Sequence, residues 1–197
     1  MGTRRGNRLP GRNLYEWVQA LVCSVLAVVV LFTFAVRITR VSGGSMRNTL
    51  RDGDLLLVLN GWLCGSYAPE DIVILRKPDF HEGSPIVKRV VAAAGQMVDI
   101  DFDIGAVYID GAELAESYIR EPTLTDEGMK FPLTVPEGCV FVMGDNRNDS
   151  DDSRNPGLGP VDTRGVIGRA FFLVVPGADK DTKERDWSRV GMLNRED

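Results

Sequence analysis

Histidine is almost missing from this chain: His81 is the only one in 197 residues. A nucleophile activated by imidazole, or a metal held by several imidazoles, has little to draw on. His81 lies in Asp79-Phe80-His81-Glu82-Gly83-Ser84, which reads as an exposed turn. Cysteine is nearly as scarce. Cys23, Cys64 and Cys139 form no CxxC and no metal-ligand spacing, and three scattered thiols with one imidazole make a poor zinc set. Neither a metal nor a cofactor is expected. Cys23 lies in an apolar run and reads as a small buried hydrophobe. Cys64 and Cys139 can pair only if they meet in an oxidising compartment. A basic excess is absent as well: 23 Lys and Arg face 28 Asp and Glu, for a net charge of −5. Phosphate binding needs a basic face, so nucleic acid is not an expected partner. Internal repeats and low-complexity tracts are also absent.

The charge that is present is unevenly spread. Residues 1–16 carry Arg4, Arg5, Arg8 and Arg12 against Glu16, a balance of +3, which leaves the remainder at −8. From Trp17 to Val36 run twenty uncharged residues bounded by Glu16 and Arg37. As a helix they extend ~30 Å, the thickness of a bilayer's hydrocarbon, and Tyr15 and Trp17 stand where interfacial aromatics are expected. The run exceeds the apolar core of a cleaved signal peptide, about 7–15 residues, and no small-x-small site closes it. It is also apolar on every face, unlike a core helix. Arginines before it outnumber Arg37 and Arg40 after it, which predicts a single-pass protein of the cell membrane with its N-terminus in the cytoplasm.

Beyond Arg40 the chain breaks into short runs rich in Val and Ile, separated by Gly, Pro, Asp and Asn. These runs are Asp54–Leu59, Asp71–Leu75, Ile86–Val91, Met97–Ile100, Ala106–Ile109, Val140–Met143 and Val166–Val175. They carry the signature of strands. Asp110-Gly111 predicts a type I′ hairpin turn, and only Leu114–Ile119 or the C-terminal tail hints at helix. The expected fold is mainly β: one transmembrane helix, then an antiparallel, barrel-like β domain. Its parts are a basic cytoplasmic segment 1–16, a membrane helix 17–36, an extracytoplasmic β domain 37–176 with a small inserted β subregion at about 93–138, and a loosely held polar tail 177–197.

Three segments of the β domain carry possible chemistry. In Val41-Ser42-Gly43-Gly44-Ser45-Met46-Arg47-Asn48-Thr49-Leu50, paired glycines leave the Ser45 hydroxyl uncovered and the backbone free to approach a ligand. The competing reading is a flexible linker, against which Met46 and Leu50 argue. In Pro85-Ile86-Val87-Lys88-Arg89-Val90-Val91, strand alternation puts Lys88 on one face with Ile86 and Val90. Desolvation there would lower its pKa, as a lysine base requires; an edge-strand lysine that discourages aggregation is the alternative. The third segment runs from Gly144 to Gly157. Its carboxylates lack the ligand spacing of a calcium loop, and its close Asp and Arg residues suggest a rigid, salt-bridged turn. With His81 as the sole imidazole, a serine hydrolase here would take its base from a lysine.

In this order, the segments resemble those of the bacterial type I signal peptidases. Gly44-Ser45-Met46 with Thr49-Leu50, Gly53-Asp54, Lys88-Arg89-Val90 and Gly144 through Arg154 match that family's boxes, and the likeness extends over roughly residues 12–176. It implies a Ser/Lys endopeptidase, short in its second β subdomain like Gram-positive members, that acts on signal peptides of exported preproteins beside membrane lipid. By the same resemblance Ser45 is the nucleophile, Lys88 the general base, and Ser150 the group that orients the Lys88 amine. Asp152 and Arg154 brace that loop, Asp145 pairs with Arg89, and the Ser45 backbone N–H serves the oxyanion. Gly43, Gly44, Met46, Pro85, Ile86 and Val87 hold the substrate as an added strand, selecting small side chains in an A-x-A-like pattern. The chain departs from the family pattern at Gly43, where many members place a serine, at Asn48, where they place a proline, and across Ala92-Ala93-Ala94-Gly95-Gln96. Asn48 is expected to loosen the turn after Ser45, and Ser42 to point away from the site. The segment Leu55–Leu59 with Trp62-Leu63 reads equally as a lipid-resting surface or as a buried strand and turn. Two other readings stay open: a related Ser/Lys protease such as the self-cleaving SOS repressors, for whose DNA-binding domain there is no room before Ser45, and a tethered peptide-binding domain without activity.

Overall fold

The computed structural model describes residues 10–179 and 182–193 and divides into two units between Val36 and Arg37. The first unit is a helix, α1 (Pro10–Val30), continued by a wider π-type turn over Leu31–Ala35. It opens on a proline, whose fixed φ and missing N–H suit a first helical position, and so starts earlier than residue 17. Leu14–Ala35 is long and apolar enough to cross a membrane, and none of its most apolar stretch is buried by the rest of the chain. Ser24 donates its hydroxyl to the Leu21 carbonyl (2.8 Å), which satisfies it within the helix. Arg4, Arg5 and Arg8 of the basic N-terminal segment lie outside the described residues.

The second unit is antiparallel β. Its strands are β1 (Val36–Arg40), β2 (Leu55–Asn60), β3 (Ile72–Leu75), β4 (Ile86–Ala93), β5 (Met97–Asp101), β6 (Ala106–Ile109), β7 (Ala112–Glu113), β8 (Leu133–Thr134), β9 (Cys139–Met143), β10 (Val161–Asp162), β11 (Val166–Val175) and β12 (Gly191–Met192). A curled sheet takes the order β1-β2-β11-β3-β4-β9-β10, with β12 also on β11; a second sheet runs β7-β6-β5-β8. A single-turn helix, α2 (Gly61–Cys64), follows β2. Asp110 and Gly111 both adopt positive φ between β6 and β7, as a type I′ turn requires.

Two expectations fail. No helix forms over Leu114–Ile119, which is turn and coil. The described residues after Pro176 are not loosely held: β12 pairs with β11 through Phe172↔Met192 and Leu173↔Gly191. Arg189 is ion-paired to the fully buried Asp54 (2.7 Å), which also accepts the Gly177 amide (2.6 Å). A buried carboxylate needs such partners, and the tail supplies these two beside the Arg51 amide (2.8 Å).

The core has three clusters. One gathers Met46, Leu50, Leu56, Val58, Ile74 and Leu173 beneath the turn that carries Ser45. A second packs Val73, Leu75, Val90, Val142 and Leu158. A third joins Val91, Phe141 and Met143 to Val98, Val107 and Val135 of the second sheet and its flank. Each such side chain contributes about 1.5–3 kcal/mol on burial, so the two ends of the Ser45 turn are tied down by apolar packing, unlike a linker. Cys64 and Cys139 are unpaired thiols.

Candidate active site

β4 delivers two cations to the site. Lys88 lies opposite Val73 of β3, and the ladder to β9 begins only at Arg89↔Met143. Ile86–Lys88 are therefore bonded to β3 along one edge, and the described ladder with β9 does not reach their other edge. Lys88 is 3% exposed. Burial pushes its amine well below the ordinary lysine value, outweighing the opposing charges of Asp152, Glu127 and Asp151. Its Nζ donates to Ser150 Oγ at 3.1 Å, and that hydroxyl donates to Asp152 Oδ2 at 2.8 Å.

Asp152 anchors the chain of bonds. Burial alone would raise its pKa, but Arg154, Lys88 and the Gly144 amide hold it below the usual carboxylate range. Oδ1 accepts from Arg154 Nε (2.9 Å); Oδ2 accepts from Arg154 Nη2 (2.9 Å) and Gly144 N (2.9 Å). Gly144 is required by space: a Cβ there would overlap Ser150 Oγ and sit 2.5 Å from the Ser45 carbonyl oxygen.

The Ser45 turn is held from two directions. Its carbonyl accepts from Asn146 N (2.9 Å), and Asn146 Nδ2 donates to the Gly44 carbonyl (3.0 Å). Arg89 pairs with Asp145 through Nε–Oδ1 (2.9 Å) and Nη2–Oδ2 (2.7 Å), and its Nη2 also donates to Thr49 Oγ1 (3.2 Å). Thr49 in turn donates to Asp145 Oδ2 (2.5 Å). Arg89 thus connects β4, the Ser45 turn and the loop after β9, while its guanidinium stacks 4.0 Å from the Tyr118 ring centroid.

A cleft of about 890 Å³ runs between the Ser45 turn and β4. Ser45, Lys88, Gly43, Gly44, Pro85, Ile86 and Val87 all line it. Ser42 lines it too. Met46 does not: it is buried in the core under the turn, which corrects its assignment to the substrate wall. Asn48 does not loosen the turn. It adopts φ 115°, a value closed to proline, and its Nδ2 donates to the Tyr118 carbonyl (2.9 Å). His81 closes one rim of the cleft, with Nε2 2.9 Å from Asp151 Oδ2.

Several supporting residues carry no sequence motif. Glu116 forms a buried, bidentate pair with Arg147, which also donates to Thr123 Oγ1 (2.8 Å). Glu127 reaches the Asp152 amide with Oε2 (3.2 Å) and lies beside Arg154. Nothing in their spacing separates them from solvated loop acids. Among the described residues no cluster of His, Cys, Asp and Glu is suited to a metal.

Comparison with known proteins identifies the family. Residues 14–175 match the family described as signal peptidase, peptidase S26. The chain is 36% identical over 172 residues to signal peptidase I of Bacillus licheniformis, covering 83% of this chain and 90% of that one. It is likewise 36% identical to signal peptidase I T of Bacillus subtilis, covering 83% and 87%. Against probable signal peptidase I-1 of Synechocystis it is 33% identical, covering 93% and 90%. The chain belongs to the signal peptidase family S26. As a member it is a peptidase of the serine type, and its apolar N-terminal helix fits a membrane-anchored protein.

Proposed function

We propose that this chain removes N-terminal signal peptides from exported preproteins as a membrane-anchored endopeptidase, with Ser45 as nucleophile and Lys88 as general base. One observation carries this reading: a lysine 3% exposed, with its pKa lowered by burial, shares a cleft wall with a serine on a braced turn. Burial with no carboxylate in contact favours the free amine over the ammonium, which is what a lysine base requires.

The substrate lies extended between the open edge of Ile86–Lys88 and the Ser42–Ser45 segment, hydrogen-bonding as a further strand. Small side chains fit against Pro85, Ile86 and Val87, which supports cleavage after an A-x-A-like sequence. Neutral Lys88 accepts the Ser45 proton as Oγ attacks the scissile carbonyl, and the Ser45 N–H donates to the oxyanion. The C–N bond then breaks, and the Lys88 ammonium passes its proton to the leaving amine. Lys88, neutral again, takes a proton from the water that attacks the acyl-enzyme, and returns it to Ser45 Oγ as the ester C–O bond breaks and the acid product leaves. Ser150, held by Asp152, keeps the amine aimed throughout. The helix keeps the N-terminus in the cytoplasm and the cleft on the outer side, where cleavage sites emerge.

The test is cleavage of a preprotein by the full chain in liposomes, with the cut located by mass spectrometry. A cut after a small-x-small site by the wild type, absent with Ser45→Ala, is the expected result. Full activity in Ser45→Ala would reject the nucleophile. No cut by a folded, reconstituted wild type would favour peptide binding without catalysis.

A further inference from the structure

Four charged groups act on the Lys88 amine: Asp152, Glu127, Asp151 and Arg154. They differ in how firmly they hold their charge. Asp152 and Arg154 are locked together by two hydrogen bonds in full burial. Asp151 is 40% exposed and meets His81 and Asn155, so water screens its effect. Glu127 matches neither pattern. Its side chain is 13% exposed, and Oε1 lies 2.9 Å from Arg154 Nη2 without hydrogen-bond alignment, because that nitrogen already serves Asp152 and the Arg147 carbonyl.

The backbone around Glu127 is fastened on both sides to the loop that carries Ser150. Asn148 Oδ1 accepts from Leu124 N (2.9 Å) and Thr125 N (3.0 Å). Arg154 Nη1 donates to the Thr125 carbonyl (3.0 Å), and Met129 N donates to the Arg154 carbonyl (2.9 Å). Glu127 and Ser150 line one shallow, open depression. A half-paired carboxyl is therefore held at the Asp152 amide, one residue pair away from the hydroxyl that bonds Lys88: Asp152 Oδ2 accepts from Ser150 Oγ, which accepts from Lys88 Nζ.

We propose that Glu127 is a positioning residue for the Ser45–Lys88 dyad: by carrying or losing its charge it sets what fraction of the Lys88 amine is neutral. The inference rests on the proposed dyad. An ionised Glu127 favours the ammonium, and a neutral one favours the free amine. Burial, with Asp152 and Asp151 as neighbouring negative charges, raises Glu127 to about 7 even against the pull of Arg154, so its charge changes near neutral pH. Titration of the two groups is then coupled.

The experiment follows Lys88 directly in the detergent-solubilised full chain, by competitive amine labelling across pH with peptide mass spectrometry. Cleavage of a preprotein is measured over the same range. Glu127→Gln keeps an acceptor for the Asp152 amide and removes the charge. It should lower the Lys88 labelling midpoint by about 0.5–1 unit, giving roughly 3–10-fold more free amine below both midpoints, and move the acidic limb of kcat/KM equally. Glu127→Leu should act in the same direction, and serves if the Gln variant melts early. Asp151→Asn removes a more exposed charge and should shift the midpoint less. An unmoved labelling midpoint in both Glu127 variants overturns the proposal, as does an equal shift from Asp151→Asn. A labelling midpoint that moves while the activity limb stays leaves Glu127 acting on Lys88 and instead removes Lys88 from the base role.

Discussion

Lys88 and Arg89 are adjacent on β4, both almost fully buried, and the two faces of the strand treat their charges oppositely. Lys88 has a hydroxyl as its hydrogen-bond partner, with the nearest strong carboxylate one bond further away at Asp152. Desolvation wins there, and the amine gives up its proton more easily. Arg89 suffers the same desolvation, but its bidentate contact with Asp145 outweighs it, and the guanidinium is held above its ordinary value. Burial alone decides neither outcome; what decides is whether a carboxylate touches the cation or stands one group back. One side of β4 supports a fixed ion pair, the other an amine that loses its proton more easily.

The sharpest way to break this contrast is to make position 88 behave like position 89. Lys88→Arg places a permanent cation where no carboxylate contacts it, and Lys88→Met removes the amine; each should lower kcat/KM by about 10³-fold or more in preprotein cleavage. Lys88→Met should nevertheless melt above the wild type. Because the folded chain lowers the lysine's pKa, the unfolded chain binds more protons between that lowered value and 10.5. Wild-type stability therefore rises with pH across that window, and the gap to Lys88→Met should shrink over it in thermal melts.

On the other face, Arg89→Ala strands Asp145 and should cost about 3–5 kcal/mol in denaturant unfolding. Arg89→Lys, which cannot reproduce the fork, should recover only part of this. Between the faces stands Gly144, where alanine must push Ser150 away from Lys88. Gly144→Ala should cost about 1–3 kcal/mol and reduce kcat roughly 10–100-fold through a misplaced amine. The mildest effect belongs to Asn48, outside the contrast: Asn48→Ala loses the bond to Tyr118 and keeps a strained φ, costing about 1–2 kcal/mol by melting.

The contrast was partly legible beforehand. Alternation along Ile86, Lys88 and Val90 put Lys88 on an apolar face, and Val/Ile-rich runs marked the long strands. Residues without periodicity were not legible. β8, β10 and β12 are two residues each, too short for a pattern, and β1 is interrupted by Arg37, whereas β7 was signalled only through the Asp110-Gly111 turn before it. Glu116 and Glu127 are acids in loops, and only the fold turns them toward Arg147 and Arg154. Asn48 read as a missing proline because side-chain anchoring and a positive φ leave no trace in composition. The tail misread has the same origin: Arg189 looks solvated until Asp54 is known to be buried and short of partners.

That last pair also imposes an order of assembly. Arg189 grips Asp54 and donates to the Thr49 carbonyl (3.1 Å), a residue whose hydroxyl is already bonded to Asp145. It lies 135 positions downstream of the carboxylate it neutralises. As the chain is synthesised, the segment bearing Ser45 is made well before Arg189, so the Asp54 carboxylate lacks this counter-charge until residue 189 has been added.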